Sequence, residues 1–111
     1  MQREWSTKVI TGIGLIFVAT MFCASANADD KSAALYKQKC AACHGVDGKG
    51  ETPTGKAMKV RSFADPEVAK ISDDELASAI EKGKGKMPAY GKSLKPDEIK
   101  AMVAYIRSMA K

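Results

Sequence analysis

Several kinds of residue are scarce in this sequence of 111 residues. It contains one histidine and three cysteines, and aromatic residues make up only 6% of it. A structural zinc site needs four nitrogen or sulfur ligands, so one histidine without a second cysteine pair serves zinc poorly. Three cysteines also give no disulfide framework to a small chain. No alternating run of polar and apolar residues predicts a strand of any length, and no internal repeat is present.

The N-terminal segment is basic at its start and apolar in its middle. Arg3 and Lys8 precede an almost wholly apolar run at 9–23, and Ala26-Asn27-Ala28 supplies a cleavage motif. This order is typical of a secretory signal peptide. We therefore expect residues 1–28 to be removed and residues 29–111 to form one exported domain. Retention as a membrane anchor stays open, although the apolar stretch 9–26 is slightly short of the ~20 residues that span a bilayer.

The predicted mature domain is small and basic. Removing Arg3, Lys8 and Glu4 with the signal peptide leaves 83 residues and a net charge of about +4. A domain of this size buries a modest core and is marginal alone, so a large apolar cofactor would complete it. Basic charge could also suggest nucleic-acid binding, but export and the low aromatic content argue against that function.

The mature sequence predicts an all-α fold with about three main helices and long loops. Residues 31–42 lack glycine and proline and favour a helix, whereas 45–64 contain four glycines and Pro53 and favour a loop. A capping box at Ser72–Glu75 predicts a second helix that stops at Gly83. After a loop at 84–95, a third helix is expected to begin at Pro96. Its apolar positions recur at helical spacing: Ile99, Met102, Val103 and Ile106.

The segment Cys40-Ala41-Ala42-Cys43-His44 matches C-x-x-C-H, the attachment signature for c-type haem. Residues i and i+3 of a helical turn face the same way, so both sulfurs can add to the two vinyl groups on one edge of a porphyrin. The next residue, His44, then lies beneath the ring, where its Nε2 can bind iron. A redox dithiol is the alternative, but it expects a βαβ context that is absent. We predict one covalent haem c held by Cys40, Cys43 and His44.

The second axial ligand must come from another residue type, because bis-histidine ligation within the chain is excluded. Met87 lies in a Gly- and Pro-rich loop, where glycines allow close approach to a flat ring and Pro88 stiffens the chain. Met102 belongs to the apolar face of the last helix, and Met109 is near the C-terminus. Met58, in an irregular loop, stays a competitor. We predict that Met87 and His44 are the metal ligands.

Ligation by histidine and methionine would fill both axial positions of the iron. A thioether favours Fe(II) and raises the reduction potential, and no open position remains for a substrate. The sequence therefore predicts a single-electron carrier and no enzyme. Two alternatives stay open: a haem protein with an open iron site, such as a gas sensor or a peroxidase-type enzyme, and a membrane-anchored cytochrome subunit of a respiratory complex.

These motifs resemble those of the class I, or mitochondrial-type, c-type cytochromes, especially the small bacterial monohaem members. The likeness rests on the haem motif, on Tyr36 before it, on residues 86–90 and on a terminal helix with Tyr105. The resemblance implies a cytochrome c fold, and the signal peptide predicts a periplasmic location. It also implies that the first and last helices cross near Tyr36 and Tyr105, with Ser32 allowing close approach, and that a carbonyl near Pro53 accepts the Nδ1–H of His44. In one departure, Lys95 stands where the family often has Ser or Thr.

Lysines surround the Met87 loop in the sequence. If that loop borders the haem edge, they form a positive ring that could steer an acidic redox partner; the alternative is ordinary solvated lysines. We expect redox partner proteins, no small-molecule substrate and a monomer. The lysines are Lys82, Lys84, Lys86, Lys92 and Lys95.

Overall fold

The computed structural model describes Gly14 and residues 25–111. In this part of the chain there are six helices and no strand. They are α1 (Ser25–Lys39), α2 (Ala41–His44), α3 (Pro53–Met58), α4 (Pro66–Ala69), α5 (Asp73–Lys82) and α6 (Pro96–Met109). The three long ones are α1, α5 and α6, with 15, 10 and 14 residues. The predicted all-α fold with three main helices is confirmed.

The N-terminal segment is described only in part. The predicted signal peptide lies outside the described residues except for Gly14 and its last four residues, which belong to α1. Its cleavage therefore stays a prediction. Within residues 25–111, no helix combines the length and the apolar character that a membrane crossing requires.

The first and last helices pack against each other, as the resemblance implied. Ser32 on α1 is buried at 5% exposure and lets the helices approach. The rings of Tyr36 and Tyr105 lie 5.4 Å apart between their centroids, and Phe63 adds an edge contact to Tyr36 at 6.3 Å. Burial of these rings contributes strongly to the core. The α6 face predicted from helical spacing is buried in the same cluster, with Ile80 and Leu94.

The helix starts follow the predicted local signals. At α5, the Ser72 hydroxyl accepts from the Glu75 N–H and the Glu75 carboxylate accepts from the Ser72 N–H, both at 3.2 Å. The capping box is thus confirmed. Helix α6 begins at Pro96, as predicted, and Lys95 before it makes no side-chain cap bond. This helix start therefore lacks the stabilisation that Ser or Thr would supply.

Two boundaries differ from the sequence-based prediction. The stretch 45–64, predicted to be a loop, contains α3, because the Thr52 hydroxyl accepts from the Gly55 N–H at 2.9 Å and Pro53 occupies the first turn. A cap followed by proline starts a helix despite the surrounding glycines. The predicted helix at 31–42 ends earlier, at Lys39, and the motif cysteines and histidine lie in the separate turn α2 with Cys40 as its N-cap.

Candidate functional site

A cavity of about 610 Å³ collects the predicted site residues. Cys40, Cys43 and His44 line one side, and Met87 lines it from a distant part of the chain. Part of the remaining wall is apolar: Val60, Val68, Ile71 and Ala79. The volume falls in the range of ~300–1,000 Å³ that is usual for small-molecule and cofactor sites. The cavity therefore offers thiols, an imidazole and a thioether to one bound group.

The turn that carries the two cysteines is tied to the chain before it and after it. The Cys40 N–H donates to the Tyr36 carbonyl at 2.8 Å, so the turn is bonded directly to the end of α1. The Tyr36 hydroxyl donates to the carbonyl of Gly45 at 2.6 Å. On the other side, the Thr52 hydroxyl lies 2.8 Å from the Ala42 carbonyl and 3.1 Å from that of Cys43. Because α2 has four residues and cannot be stable alone, these bonds fix its place.

Helix α3 lies directly against this turn, and Gly55 makes the approach feasible. A Cβ at Gly55 would overlap the Cys43 carbonyl oxygen and would lie 2.5 Å from the Gly50 carbonyl oxygen. Both obstacles are backbone atoms, which cannot swing aside as a flexible side chain would. Glycine is thus required by close packing at this position.

His44 is held differently from what the resemblance implied. Its ring stacks on Phe63, with centroids 4.8 Å apart and planes inclined by 21°. Its Nδ1 is buried and has no hydrogen-bond partner among the described residues, so the implied bond to a carbonyl near Pro53 is not formed. The stacking sets the ring plane and leaves Nδ1 facing no acceptor. Burial lowers the pKa of His44, which favours the neutral imidazole that binds metals.

The Met87 loop is anchored by backbone bonds. Lys84 and Met87 exchange two N–H to carbonyl bonds of 3.0 and 3.2 Å around a two-residue turn. Tyr90 then donates its N–H to the Ile80 carbonyl at 2.9 Å and its hydroxyl to the Lys39 carbonyl at 3.0 Å. The loop is therefore connected both to the end of α5 and to the residue that precedes Cys40.

The other methionines of the domain differ in how buried they are and in whether they line the cavity. Met102 is 1% exposed and belongs to the core, as predicted. Met109 packs against that core and does not line the cavity. Met58, at the end of α3, does line the cavity and is 40% exposed. Two thioethers, those of Met58 and Met87, are thus placed to compete for the same bound group.

Basic side chains gather around the cavity, but they are mostly different from those predicted. Of the lysines near Met87 in sequence, Lys84 and Lys86 line the cavity, whereas Lys82, Lys92 and Lys95 are exposed elsewhere. Residues far apart in sequence supply the rest, namely Lys39, Lys59 and Arg61, and among the described residues Glu67 is the one acidic residue of the lining. Because these residues are far apart in the sequence, the local pattern of charges did not indicate that they cluster.

A helical domain folded around a cavity with a C-x-x-C-H turn in its wall is the arrangement of a c-type cytochrome. The family model described as cytochrome c oxidase, cbb3-type, subunit III matches residues 27–106. The chain belongs to this family of haem-binding domains and is a small class I c-type cytochrome.

Among the similar proteins are small cytochromes that this chain matches over most of their length. Cytochrome c6 of Microcystis aeruginosa is 30% identical over 78 residues, which are 70% of this chain and 93% of that protein. Cytochrome c6 of Aphanizomenon flos-aquae is 33% identical over 70% of this chain and 86% of its own. The structure of the KustC0563 c-type cytochrome matches with a TM-score of 0.67 at 39% identity, covering 72% of this chain and 98% of that one.

These relationships establish the biochemical class. The protein binds one covalently attached haem c and acts as a monohaem electron carrier. It is an electron-transfer protein rather than an enzyme, and redox proteins are its partners. The predictions of cofactor and function are confirmed at this level.

Proposed function

We propose that this protein is an exported, periplasmic single-electron carrier whose haem is attached at Cys40 and Cys43, with His44 and Met87 as the axial ligands. One observation carries the proposal: Met87 lies 43 residues after His44 in the sequence, yet both line the same cavity with the two cysteines. Bound haem supplies one-electron exchange between Fe(III) and Fe(II). The protein chain binds that group, orients it and shields it from water.

The attachment turn favours a single orientation for the haem. Cys40 and Cys43 stand one helical turn apart and both line the cavity, so their sulfurs can reach one edge of the same group. His44 follows at once, and burial lowers its pKa, which favours the neutral imidazole that binds metals. The bonds from Thr52 and Tyr36 restrain this turn.

Met87 is the better candidate for the second axial ligand than Met58. The Met87 backbone is fixed by two bonds to Lys84, and Tyr90 connects its loop to the attachment turn. The Met58 side chain is the more exposed of the two and lies at a helix end followed by Lys59, whose φ of 56° is left-handed. A ligand held in place loses less conformational entropy on binding than a mobile one.

Substitution of each methionine by alanine tests the assignment, with Met58→Ala as the matched control. We expect Met87→Ala to lower the reduction potential, to abolish the far-red Met–Fe(III) charge-transfer band and to let reduced protein bind CO. Met58→Ala should keep all three properties of the parent. The reverse pattern would assign the ligand to Met58, and CO binding by the parent protein would indicate an open iron site.

Attachment is tested separately by Cys40→Ala combined with Cys43→Ala. Covalent haem should be lost from this double variant, as judged by haem staining after denaturing electrophoresis. Retention of stained haem would contradict attachment at these residues.

The N-terminal sequence of the exported protein tests cleavage of the signal peptide. It should begin at Asp29 if the signal peptide is cleaved after Ala28; a start at Met1 would favour an anchor.

The basic residues around the cavity support docking of an acidic partner by a monomeric carrier. Lys84, Lys86 and their neighbours would steer an acidic surface towards the haem edge and speed encounter. We expect the rate of electron transfer to an acidic redox partner to fall as salt increases. Reversal of charge at Lys84 and Lys86 should remove most of this dependence, whereas the matched reversal at Lys92 and Lys95 should not. Equal effects of the two pairs would contradict docking at the cavity.

A further inference from the structure

Arg107, in the last turn of α6, reaches the stretch 68–73, which runs from α4 into the start of α5. Its Nη1 donates to the Val68 carbonyl at 3.3 Å, its Nη2 donates to the Ile71 carbonyl, and its Nε donates to the Asp73 carboxylate at 3.0 Å. These acceptors precede Arg107 by 34 to 39 residues. One side chain thus joins the C-terminal helix to a distant part of the fold.

The segment that Arg107 contacts is short; besides the bonds from Arg107, it is held by burial of Val68 in the core and by backbone bonds within residues 65–71. Helix α4 has four residues and is capped at its start by Asp65, which accepts from the Glu67 N–H at 2.9 Å. A helix of this length is unstable without tertiary contacts. A guanidinium that donates to two carbonyls in a planar fork makes charge-assisted bonds, which are stronger than neutral ones. The Asp73 carboxylate is 73% exposed, so that ion pair contributes little.

The same two residues whose carbonyls Arg107 binds also contribute their side chains to the haem cavity. Val68 and Ile71 line the cavity, and Arg107 does not. We infer that Arg107 is a positioning residue that keeps the reduction potential high by holding the Val68–Ile71 wall against the haem. This inference rests on the haem site proposed above.

The expected direction follows from the hydration of the iron centre. Fe(III) haem carries one more positive charge than Fe(II) haem, so water that enters the cavity stabilises the oxidised form. An apolar wall that excludes water therefore raises the potential, and a wall that loosens lowers it. The effect of Arg107 is transmitted through the backbone of residues 68–71 and needs no contact with the haem.

Arg107→Lys tests the inference at constant net charge, with Asp73→Asn as the matched control. Lysine replaces the planar fork by one compact ammonium, which cannot bind two separated carbonyls in the same geometry. Asp73→Asn removes the exposed ion pair but leaves both carbonyl bonds. The quantities to compare are the midpoint potential of each purified holoprotein and its helix content from circular dichroism. The expected result is a lower potential for Arg107→Lys, with native helix content, and a potential close to the parent value for Asp73→Asn.

Three results would overturn the inference. An unchanged potential in Arg107→Lys would show that the wall does not depend on the fork. An equal shift in Asp73→Asn would assign the effect to the ion pair. Loss of helix content and of haem in Arg107→Lys would show that Arg107 maintains the fold as a whole. Failure of the haem-site proposal is distinct, because it would be seen in the parent, as haem that is not covalent or a spectrum that does not depend on Met87.

Discussion

The hydroxyl of Tyr36 allows a sharp test of how the attachment turn is stabilised. Tyr36 is 2% exposed, and its hydroxyl donates to the Gly45 carbonyl at 2.6 Å, directly after His44. Tyr36→Phe removes this bond and retains the ring, which packs against Phe63 and Tyr105. The substitution therefore isolates one hydrogen bond from the aromatic core.

The loss of stability in Tyr36→Phe depends on whether the Gly45 carbonyl keeps another hydrogen bond. The Gly45 carbonyl also accepts from the Gly48 N–H at 3.1 Å, so Tyr36→Phe does not leave it unsatisfied. The loss should then be the net value of one hydrogen bond, about 1 kcal/mol, and not the larger penalty of a buried, unpaired carbonyl. The haem spectrum should not change, because Tyr36 does not line the cavity.

The pH dependence adds a second, independent signature. Burial is the largest cause that raises the pKa of Tyr36 above its ordinary value, which is about 10. A raised folded-state pKa means that the contribution to stability is fully present below the unfolded pKa and is lost as pH rises above it. The parent should therefore lose stability above about pH 10, and the gap between parent and Tyr36→Phe should shrink there.

The assay is denaturant unfolding of the holoproteins between neutral and alkaline pH. The midpoint should fall without a change of slope, since the surface exposed on unfolding is the same. Tyr105→Phe is the matched control, because the Tyr105 ring lies in the same cluster but its hydroxyl makes no hydrogen bond to a described residue. A loss of about 3 kcal/mol or more, or none, would refute the reasoning.

Three further substitutions probe the helices. Gly55→Ala should destabilise the holoprotein by about 2 kcal/mol, through overlap with the Cys43 and Gly50 carbonyls; thermal unfolding that shows the usual gain of alanine in a helix would contradict this. Ser72→Ala should cost about 1 kcal/mol by removing the capping box of α5, and an unchanged denaturant midpoint would show that the cap is dispensable. Lys95→Ser should gain up to about 1 kcal/mol by supplying the missing cap of α6; a lower midpoint would mean that Lys95 has another role.

The sequence was sufficient for features set by local chemistry. Ser72 and Glu75 are three residues apart, and their side-chain chemistry alone fixes the start of α5. The haem motif is equally local, since one helical turn contains it. The apolar face of α6 could be found from its spacing, because a long amphipathic helix repeats its signal.

Features set by tertiary packing could not be found in this way. Thr52 and Pro53 are a recognisable helix start for α3, but the several glycines around them predicted a loop instead. Gly55 is required by close packing against backbone carbonyls, which the sequence does not show. The basic residues Lys59 and Arg61 gather near Lys84 only because the chain folds back. The His44 ring is placed by Phe63, 19 residues later in the sequence, and no local pattern indicates this stacking.

The cavity described above is assembled from an early and a late part of the chain. The bond from Tyr36 to Gly45 spans nine residues and those from Thr52 to the attachment turn span nine and ten, so this side depends on contacts that are local in the sequence. The Met87 side depends on α5 and on the bond from Tyr90 to Lys39, which spans 51 residues. Contacts between distant residues form more slowly than local ones, so we expect the cysteine side of the cavity to form before the Met87 side. That order would leave the two cysteines accessible to the cofactor until the Met87 loop packs over it.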